Sequence, residues 1–367
     1  MGKKYRITVI AAGARSNNYL RMLKQYHAND VELLGITDPL EDRVNKTMAE
    51  FGIPKKFPDY KTAISETKPD IVIVGTPAYF HCDIASFAMD NGANVLTEKP
   101  FDLSLDKAFK LREKQKQTGK SLAIGLQYRN NLRNRAIKQM MDKRLIGNNV
   151  IMSFYDIREI RPKPAMHDAQ FGNGGVFCDM ACHYFDLMRW FYKCNPKSVS
   201  SVWKVLSTDA PFLSGIETKA PDYAIITVEY ESGDMGMIII NWVFPREITQ
   251  SLNMSSIIGS MGYVLPNFKA PWEERKIPSE LQIMANGKES SVKHLPEDEQ
   301  DCVCAELAVY DHLIAEIEGR GKVQAGIEEG IISLSTSLAA IKSGAIGRTV
   351  TVKEIQEIKP TVLECMS

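Results

Sequence analysis

The chain has 367 residues, 45 basic and 45 acidic, for a formal net charge of zero, with 44 % hydrophobic and 25 % charged residues. At roughly 100–200 residues per domain this length predicts two domains. A neutral chain with no block of like charge argues against a nucleic-acid partner. No stretch reaches the roughly 18 apolar residues of a membrane span, and the N-terminal apolar run is too short for a signal peptide, so the expectation is a cytoplasmic protein that does not enter the membrane. The seven cysteines (Cys82, Cys178, Cys182, Cys194, Cys302, Cys304, Cys365) are odd in number and irregularly spaced. They predict reduced, mostly buried thiols and no metal site.

The first 125 residues alternate short apolar runs with helical patterns. Strands are expected at 5–11, 31–37, 70–75, 93–97 and 121–126, and helices at 16–27, 41–51, 60–66, 80–91 and 105–118. Asp70-Ile71-Val72-Ile73-Val74-Gly75 has the continuous apolar character of a buried parallel strand. The alternation predicts a doubly wound parallel sheet of the Rossmann type over 1–125. Beyond it, 148–158 reads as a strand, 161–175 as a Pro- and Gly-rich loop and 176–192 as a helix. Strands follow at 198–206 and 222–231, then a turn at Glu231-Ser232-Gly233-Asp234 and a strand over Met235–Trp242. Strand-like segments continue to about 266, and helices cover 303–318 and 326–342. Residues 126–367 are thus expected to form an α+β domain with an open, largely antiparallel sheet, whose uncovered face binds substrate or a second copy of the chain.

The first strand-to-helix turn reads Ala11-Ala12-Gly13-Ala14-Arg15-Ser16. A dinucleotide site asks for G-x-G-x-x-G here, for a tight turn, close approach to the pyrophosphate and close helix–strand contact. Only Gly13 is present, with Ala11 and Ser16 in the other glycine positions, so the loop by itself is equally a plain tight turn. The free N–H groups of the following helix favour a phosphate. At the end of the second strand Asp38 can hydrogen-bond an adenosine ribose and would repel a 2′-phosphate, which favours NAD over NADP. Asp38 is otherwise a turn residue before Pro39, and Arg43 lies close in sequence.

Two further strands end in Thr76-Pro77-Ala78-Tyr79-Phe80-His81 and in Glu98-Lys99-Pro100. Ligands bind at the carboxyl edge of a parallel sheet, and a lysine there can steady a developing alkoxide, although a bare Glu-Lys-Pro is also a common solvated turn. In the second half, Asp179, His183 and Asp186 follow Gly174-Gly175 at spacings of four and three, which place them on one side of a helix. A carboxylate that orients an imidazole suits a general acid–base pair, and the plain alternative is a helix start with an exposed ion pair.

Taken together, T-P-x3-H (Thr76, Pro77, His81), G-x-x-V-x-x-E-K-P (Gly92 to Pro100) and G-G-x3-D-x3-H-x-x-D (Gly174 to Asp186) closely resemble the Gfo/Idh/MocA family, that of glucose–fructose oxidoreductase and inositol dehydrogenases. The likeness extends to Gly259-Ser260-Met261-Gly262 and Ser343–Arg348. It implies that Lys99 lies between nicotinamide and substrate, with Lys99, Asp179 and His183 as the acid–base centre. It implies cofactor contacts from Ala12, Gly13, Ala14, Arg15, Ser16, Asp38, Thr76, Pro77, His81, Glu98 and Gln127. Substrate contacts are expected from Tyr128, Arg129, Arg158, His167, Asp179 and His183, with Asp186 supporting helix packing. The implied activity is NAD-dependent hydride transfer at a secondary alcohol of a sugar, glycoside or polyol, in a homo-oligomer. Two other readings stay open: a redox-neutral enzyme that retains and recycles NAD(H), and a non-catalytic dinucleotide-binding regulator.

Overall fold

The computed structural model describes residues 4–244, 255–265, 280–285, 287–293 and 301–367. It divides into two compact units: Met1–Asp102 with Asp106–Gln127 and Glu306–Ile331, and Leu103–Leu105 with Tyr128–Ala305 and Ile332–Ser367.

The first unit carries β1 (Tyr5–Ile10), α1 (Ala14–Tyr26), β2 (Val31–Thr37), α2 (Glu41–Phe51), α3 (Tyr60–Thr67), β3 (Ile71–Val74), α4 (His81–Asp90), β4 (Asn94–Thr97), α5 (Leu105–Thr118) and β5 (Leu122–Ile124). The strands form one parallel sheet in the order β2-β1-β3-β4-β5. Ile7, Val9, Val95, Leu96 and all of Ile71–Val74 are fully buried, because a parallel sheet has helices on both faces and needs apolar side chains on both. The strand order reverses between β1 and β3, the point at which such sheets bind ligands. Turn chemistry sets the helix ends. The Asp59 side chain accepts from Thr62 N to start α3, and Gly52 takes φ +70° to end α2.

Expected as part of the second domain, residues Glu306–Ile331 instead pack with the first unit. Tyr5 Oη donates to Glu318 (2.9 Å), Ile124 N donates to Ala325 O (2.9 Å), and Gly330 lies so close to Ile124 and Phe101 that a Cβ would stand 2.5 Å from Ile124 Cδ1.

The second unit contains α6 (Leu132–Asp142), β6 (Ile151–Ile157), the short α7 (Pro164–His167), α8 (Cys182–Tyr192), β7 (Pro196–Lys204), β8 (Tyr223–Tyr230), β9 (Met235–Asn241), β10 (Ser256–Gly259), β11 (Gly262–Leu265), β12 (Glu280–Ala285) and β13 (Lys288–Lys293). Next come α9 (Asp301–Ile317) and α10 (Ile327–Ile346), each divided between the units, then β14 (Val350–Thr351), α11 (Val352–Ile358) and α12 (Val362–Met366). The nine-stranded sheet runs β13-β12-β11-β10-β6-β9-β8-β7-β14. Among the described strands only β6 and β9 pair in parallel, so the sheet is mixed and largely antiparallel.

One face of this sheet is covered. Along β8, Ala224, Ile226, Val228 and Tyr230 are buried while Ile225 is 39 % exposed, the alternation of a half-covered strand. Helix α8 lies close over the covered face. Met188 Sδ stands 2.2 Å from where a Cβ on Gly236 would be, so that glycine makes room for the helix. The serines of α10 reach α8 and the turn before it, Ser333 Oγ donating to Cys182 O and Ser337 Oγ to Phe177 O, each at 3.0 Å. Cys82, Cys178, Cys182 and Cys365 are buried free thiols and Cys194 is half-buried; the side chains of Cys302 and Cys304 lie outside the described residues. No helix among the described residues is long and apolar enough to cross a membrane.

Candidate functional site

In the first unit the altered glycine turn is held by specific local contacts. Ala11 occupies the first glycine position with φ +84°, the left-handed region that disfavours a side chain. Its N–H donates to Thr37 O at 2.8 Å, which holds the turn against β2. At the third position, where glycine normally lets helix and strand approach, Ser16 is fully buried. The room comes from Gly75 at the end of β3, since a Cβ there would stand 2.2 Å from Ser16 Oγ. Gly13, the N-cap of α1, has neither a side-chain cap nor an acidic residue in the turn after it. A Cβ on Gly13 would meet nothing nearer than Gly75 O at 3.9 Å, so the protein's own packing does not demand this glycine. Asp38 accepts from Ala12 N through Oδ2 (2.8 Å) and from Leu40 N through Oδ1 (2.9 Å). It is both a turn residue and the tie between the second strand and the loop.

At the carboxyl edge of β3 and β4 the expected residues fall into two clusters. Arg15 lies between Glu98 (Nε to Oε2, 3.1 Å, outside hydrogen-bond alignment) and Glu306 (Nη1 to Oε1, 2.7 Å). With its amide oriented to satisfy both neighbours, Gln127 donates to Gly125 O and accepts from Arg15 Nη2 (2.9 Å). Burial opposes the charge of Arg15, but the two carboxylates outweigh it and hold the guanidinium above its usual range. Burial, reinforced by Glu98, raises Glu306 despite Arg15. The second cluster is His81, 1 % exposed, with Nδ1 2.7 Å from Pro100 O and Nε2 2.8 Å from Thr76 O. Thr76 Oγ1 is buried without a hydrogen-bond partner among the described residues. Lys99 precedes a cis peptide bond to Pro100.

In the second unit the helix expected at 176–192 is split. Phe177–Ala181 form a π-helical turn, and α8 starts at Cys182. Such turns concentrate at functional sites. Asp179 lies within this turn and His183 is the second residue of α8. Asn173 Nδ2 donates to Asp179 Oδ1 at 2.8 Å. The Tyr128 ring lies parallel to the His183 ring at 4.1 Å with 10° between planes. Both Asp179 and His183 are buried. The loop before them is tight, because Gly172 leaves no room for a Cβ beside Ala165 O and Asp168 Oδ1 accepts from Gln170 N and Phe171 N.

The remaining expected substrate residues are tied into the fold. Arg129 makes a buried two-pronged contact with Asp186 (Nε to Oδ2, 2.7 Å; Nη2 to Oδ1, 2.5 Å). Arg158 pairs with Asp156, which also accepts from Tyr184 Oη at 2.9 Å. Burial works against the Arg158 charge and Asp156 overcomes it, raising the guanidinium. Burial lowers His167, whose Nε2 lies 2.8 Å from Arg161 O, and its ring meets Trp242 edge-on at 5.9 Å. The sequence reading missed Glu306, Asn173, Asp156 and Tyr184. Asn173 precedes the Gly-Gly pair and Tyr184 adjoins His183, so motif proximity could have found those two; Glu306 carries no local signal.

Residues 5–126 match the oxidoreductase family with an NAD-binding Rossmann fold, and residues 134–264 match the Gfo/Idh/MocA C-terminal domain. The chain belongs to the Gfo/Idh/MocA oxidoreductase family, and its first unit carries the NAD-binding Rossmann fold. It is 29 % identical over 224 residues to the scyllo-inositol 2-dehydrogenase (NAD(+)) of Bacillus subtilis, covering 59 % of this chain. To the myo-inositol 2-dehydrogenase of Thermotoga maritima it is 25 % identical over 233 residues, 64 % of this chain and 67 % of that one. The chain spans 64 % of the length of the Bacillus relative. In fold it is similar to an oxidoreductase from Agrobacterium radiobacter solved with NAD+, L-tartaric acid and magnesium, with a TM-score of 0.79 and 16 % identity over 96 % of this chain and all of that one.

Proposed function

We propose that the protein is an NAD-dependent dehydrogenase that transfers hydride between a secondary alcohol of a sugar, glycoside or polyol and nicotinamide. The observation that carries this reading is the acid–base pair kept by a member of this family, an anchored Asp179 and a His183 stacked on Tyr128. A protein that only senses dinucleotide has no use for such a pair, which favours catalysis over regulation.

The first unit fits the cofactor on its own features. The α1 N-terminus offers uncapped N–H groups to a pyrophosphate, Gly13 leaves its approach open, and Thr76 Oγ1 is a buried hydroxyl in want of a partner. Ala12, Gly13, Ala14, Arg15 and Ser16 would hold the phosphates, and Asp38 the adenosine ribose. Thr76, Pro77, His81, Glu98 and Gln127 would line the nicotinamide end. When bound, NAD supplies the hydride acceptor. The protein's part is proton chemistry: His183 takes the hydroxyl proton, Lys99 steadies the oxygen as charge builds on it, and Asp179 orients the alcohol or the imidazole. Tyr128 supports the imidazole face and Arg129 serves as counter-ion to Asp186, so Arg158 and His167 shape the loop over the substrate.

The open sheet face suits self-association. Val202, Ile225, Ile239 and Tyr155 are successive neighbours across β7, β8, β9 and β6, and Val202 is 61 % exposed. A second copy is the partner we infer, and a monomer in sedimentation at micromolar concentration would refute it.

The function is tested by following reduced nicotinamide in absorbance over a panel of inositols, aldoses and glycosides with added NAD+. Turnover is expected, with His183→Ala and Lys99→Ala each at least ~10²-fold slower. A His183→Ala protein as active as the wild type overturns the assignment. Reduced nicotinamide carried on the purified protein, with turnover only when a keto-sugar is added, would shift it to the recycling form of the reaction.

A further inference from the structure

His81 faces two acceptors with one donor to give. Its ring spans the ends of two strands, with Nδ1 2.7 Å from Pro100 O after β4 and Nε2 2.8 Å from Thr76 O after β3. Both are backbone carbonyls, which can only accept. A neutral imidazole carries one N–H, so it can bond one carbonyl while its other nitrogen presents a lone pair to the second. Only the doubly protonated ring satisfies both.

We propose that His81 is a positioning residue whose proton decides which of two turns at the cofactor edge is held, the Thr76 turn or the Lys99–Pro100 turn, and that gain of a second proton fastens both. The role rests on the dehydrogenase reading only in so far as Lys99 needs placing; the bonding itself does not.

The surroundings set the direction. Burial disfavours the charged ring and dominates, lowering its pKa below the usual histidine value of 6.5. The two carbonyls and Glu98 on the end of β4 favour the cation, and Lys99 beside it opposes it. At neutral pH the ring therefore holds one turn and leaves the other carbonyl against a lone pair. As pH falls through the lowered pKa the second bond forms. The same depressed pKa means that the unfolded chain takes up this proton first, so the overall stability contributed by His81 falls as pH drops below about 6.5. A tautomer change at constant pH moves the single bond from one turn to the other without any net charge. Anything bound at Thr76 or beside Lys99 then biases the ring.

The test uses the full-length protein labelled with 15N-histidine, with the His81 signals identified by their loss in His81→Gln. Long-range 1H–15N spectra report which ring nitrogen carries the proton. The expected result is one slowly exchanging N–H at neutral pH, conversion to two below the usual histidine range, and a changed tautomer ratio when NAD+ is added. A ring that titrates near 6.5 with rapidly exchanging protons and ignores NAD+ overturns the proposal. In turnover, His81→Leu should lower kcat by up to roughly 10²-fold, the cost of misplacing a reacting group by about 1 Å, with KM for the alcohol unchanged, and His81→Gln should recover most of it. A well-folded His81→Leu protein with wild-type kcat also overturns it. Should His81→Leu not fold, the wild-type spectra decide. Should no alcohol be turned over, the dehydrogenase reading fails while the spectra still test His81.

Discussion

The two units handle buried charge in opposite ways. In the second, two buried arginines each pair with an acid, Arg129 with Asp186 and Arg158 with Asp156, and all four side chains are less than a tenth exposed. In the first, a single guanidinium, Arg15, is shared by Glu98 and Glu306 and stays 35 % exposed. A matched pair closes on itself and fixes geometry. A shared, half-open cation can trade partners at little cost. The difference follows the work proposed for each unit, rigid support beneath an acid–base pair against a loop that must admit a charged cofactor.

Breaking a matched pair should have the largest effect. Arg129→Met leaves Asp186 buried without its cation and is expected to cost about 3–5 kcal/mol, read as a lower urea midpoint; adding Asp186→Leu should restore much of it. If the single variant costs under about 1 kcal/mol, the pair is not the closed support described. Arg15→Met should cost less, roughly 1–2 kcal/mol after allowance for solvent screening, and its deficit should grow with pH. The sign follows from Glu306. Its folded pKa is raised above the ordinary 4.5, so its contribution is full below that value and is lost as pH rises through the folded pKa, faster once Arg15 no longer offsets the charge. A deficit that does not vary with pH would mean that the two carboxylates do not share the guanidinium. The smallest change is a gain: Ala11→Gly relieves a side chain at φ +84° and should stabilise the protein by about 1 kcal/mol, seen as a higher Tm. A loss there would show that the turn tolerates alanine without strain.

Much of the first unit was legible because local signals and tertiary demands agree. Ile71–Val74 is apolar throughout since both sheet faces are covered, and the residues that end β3 and β4 sit where a parallel sheet binds ligands. The second unit was less legible. Its sheet alternates as expected along β8, but β14 is only two residues long and its pairing with β7 joins segments far apart in the chain. The π turn at Phe177–Ala181 is invisible to a helix period. The return of Glu306–Ile331 to the first unit depends on contacts such as Tyr5 with Glu318, for which neither segment carries a local mark. Among the candidate site residues, Asp179 and His183 were read from motif spacing, while Asn173 and Tyr128, which touch them, come from outside the helix that the spacing describes.

Ser16 and Gly75 divide between them a task that fingerprint sequences give to one glycine. What matters is the gap between a helix and the neighbouring strand, and either wall can be the one that is thinned. A change at position 16 to glycine would free position 75 to vary, and alanine at 75 would force position 16 to shrink or turn its hydroxyl away. Chains that fail a search for the glycine-rich turn can therefore be sought through the residue that closes the third strand, where the missing space has been moved.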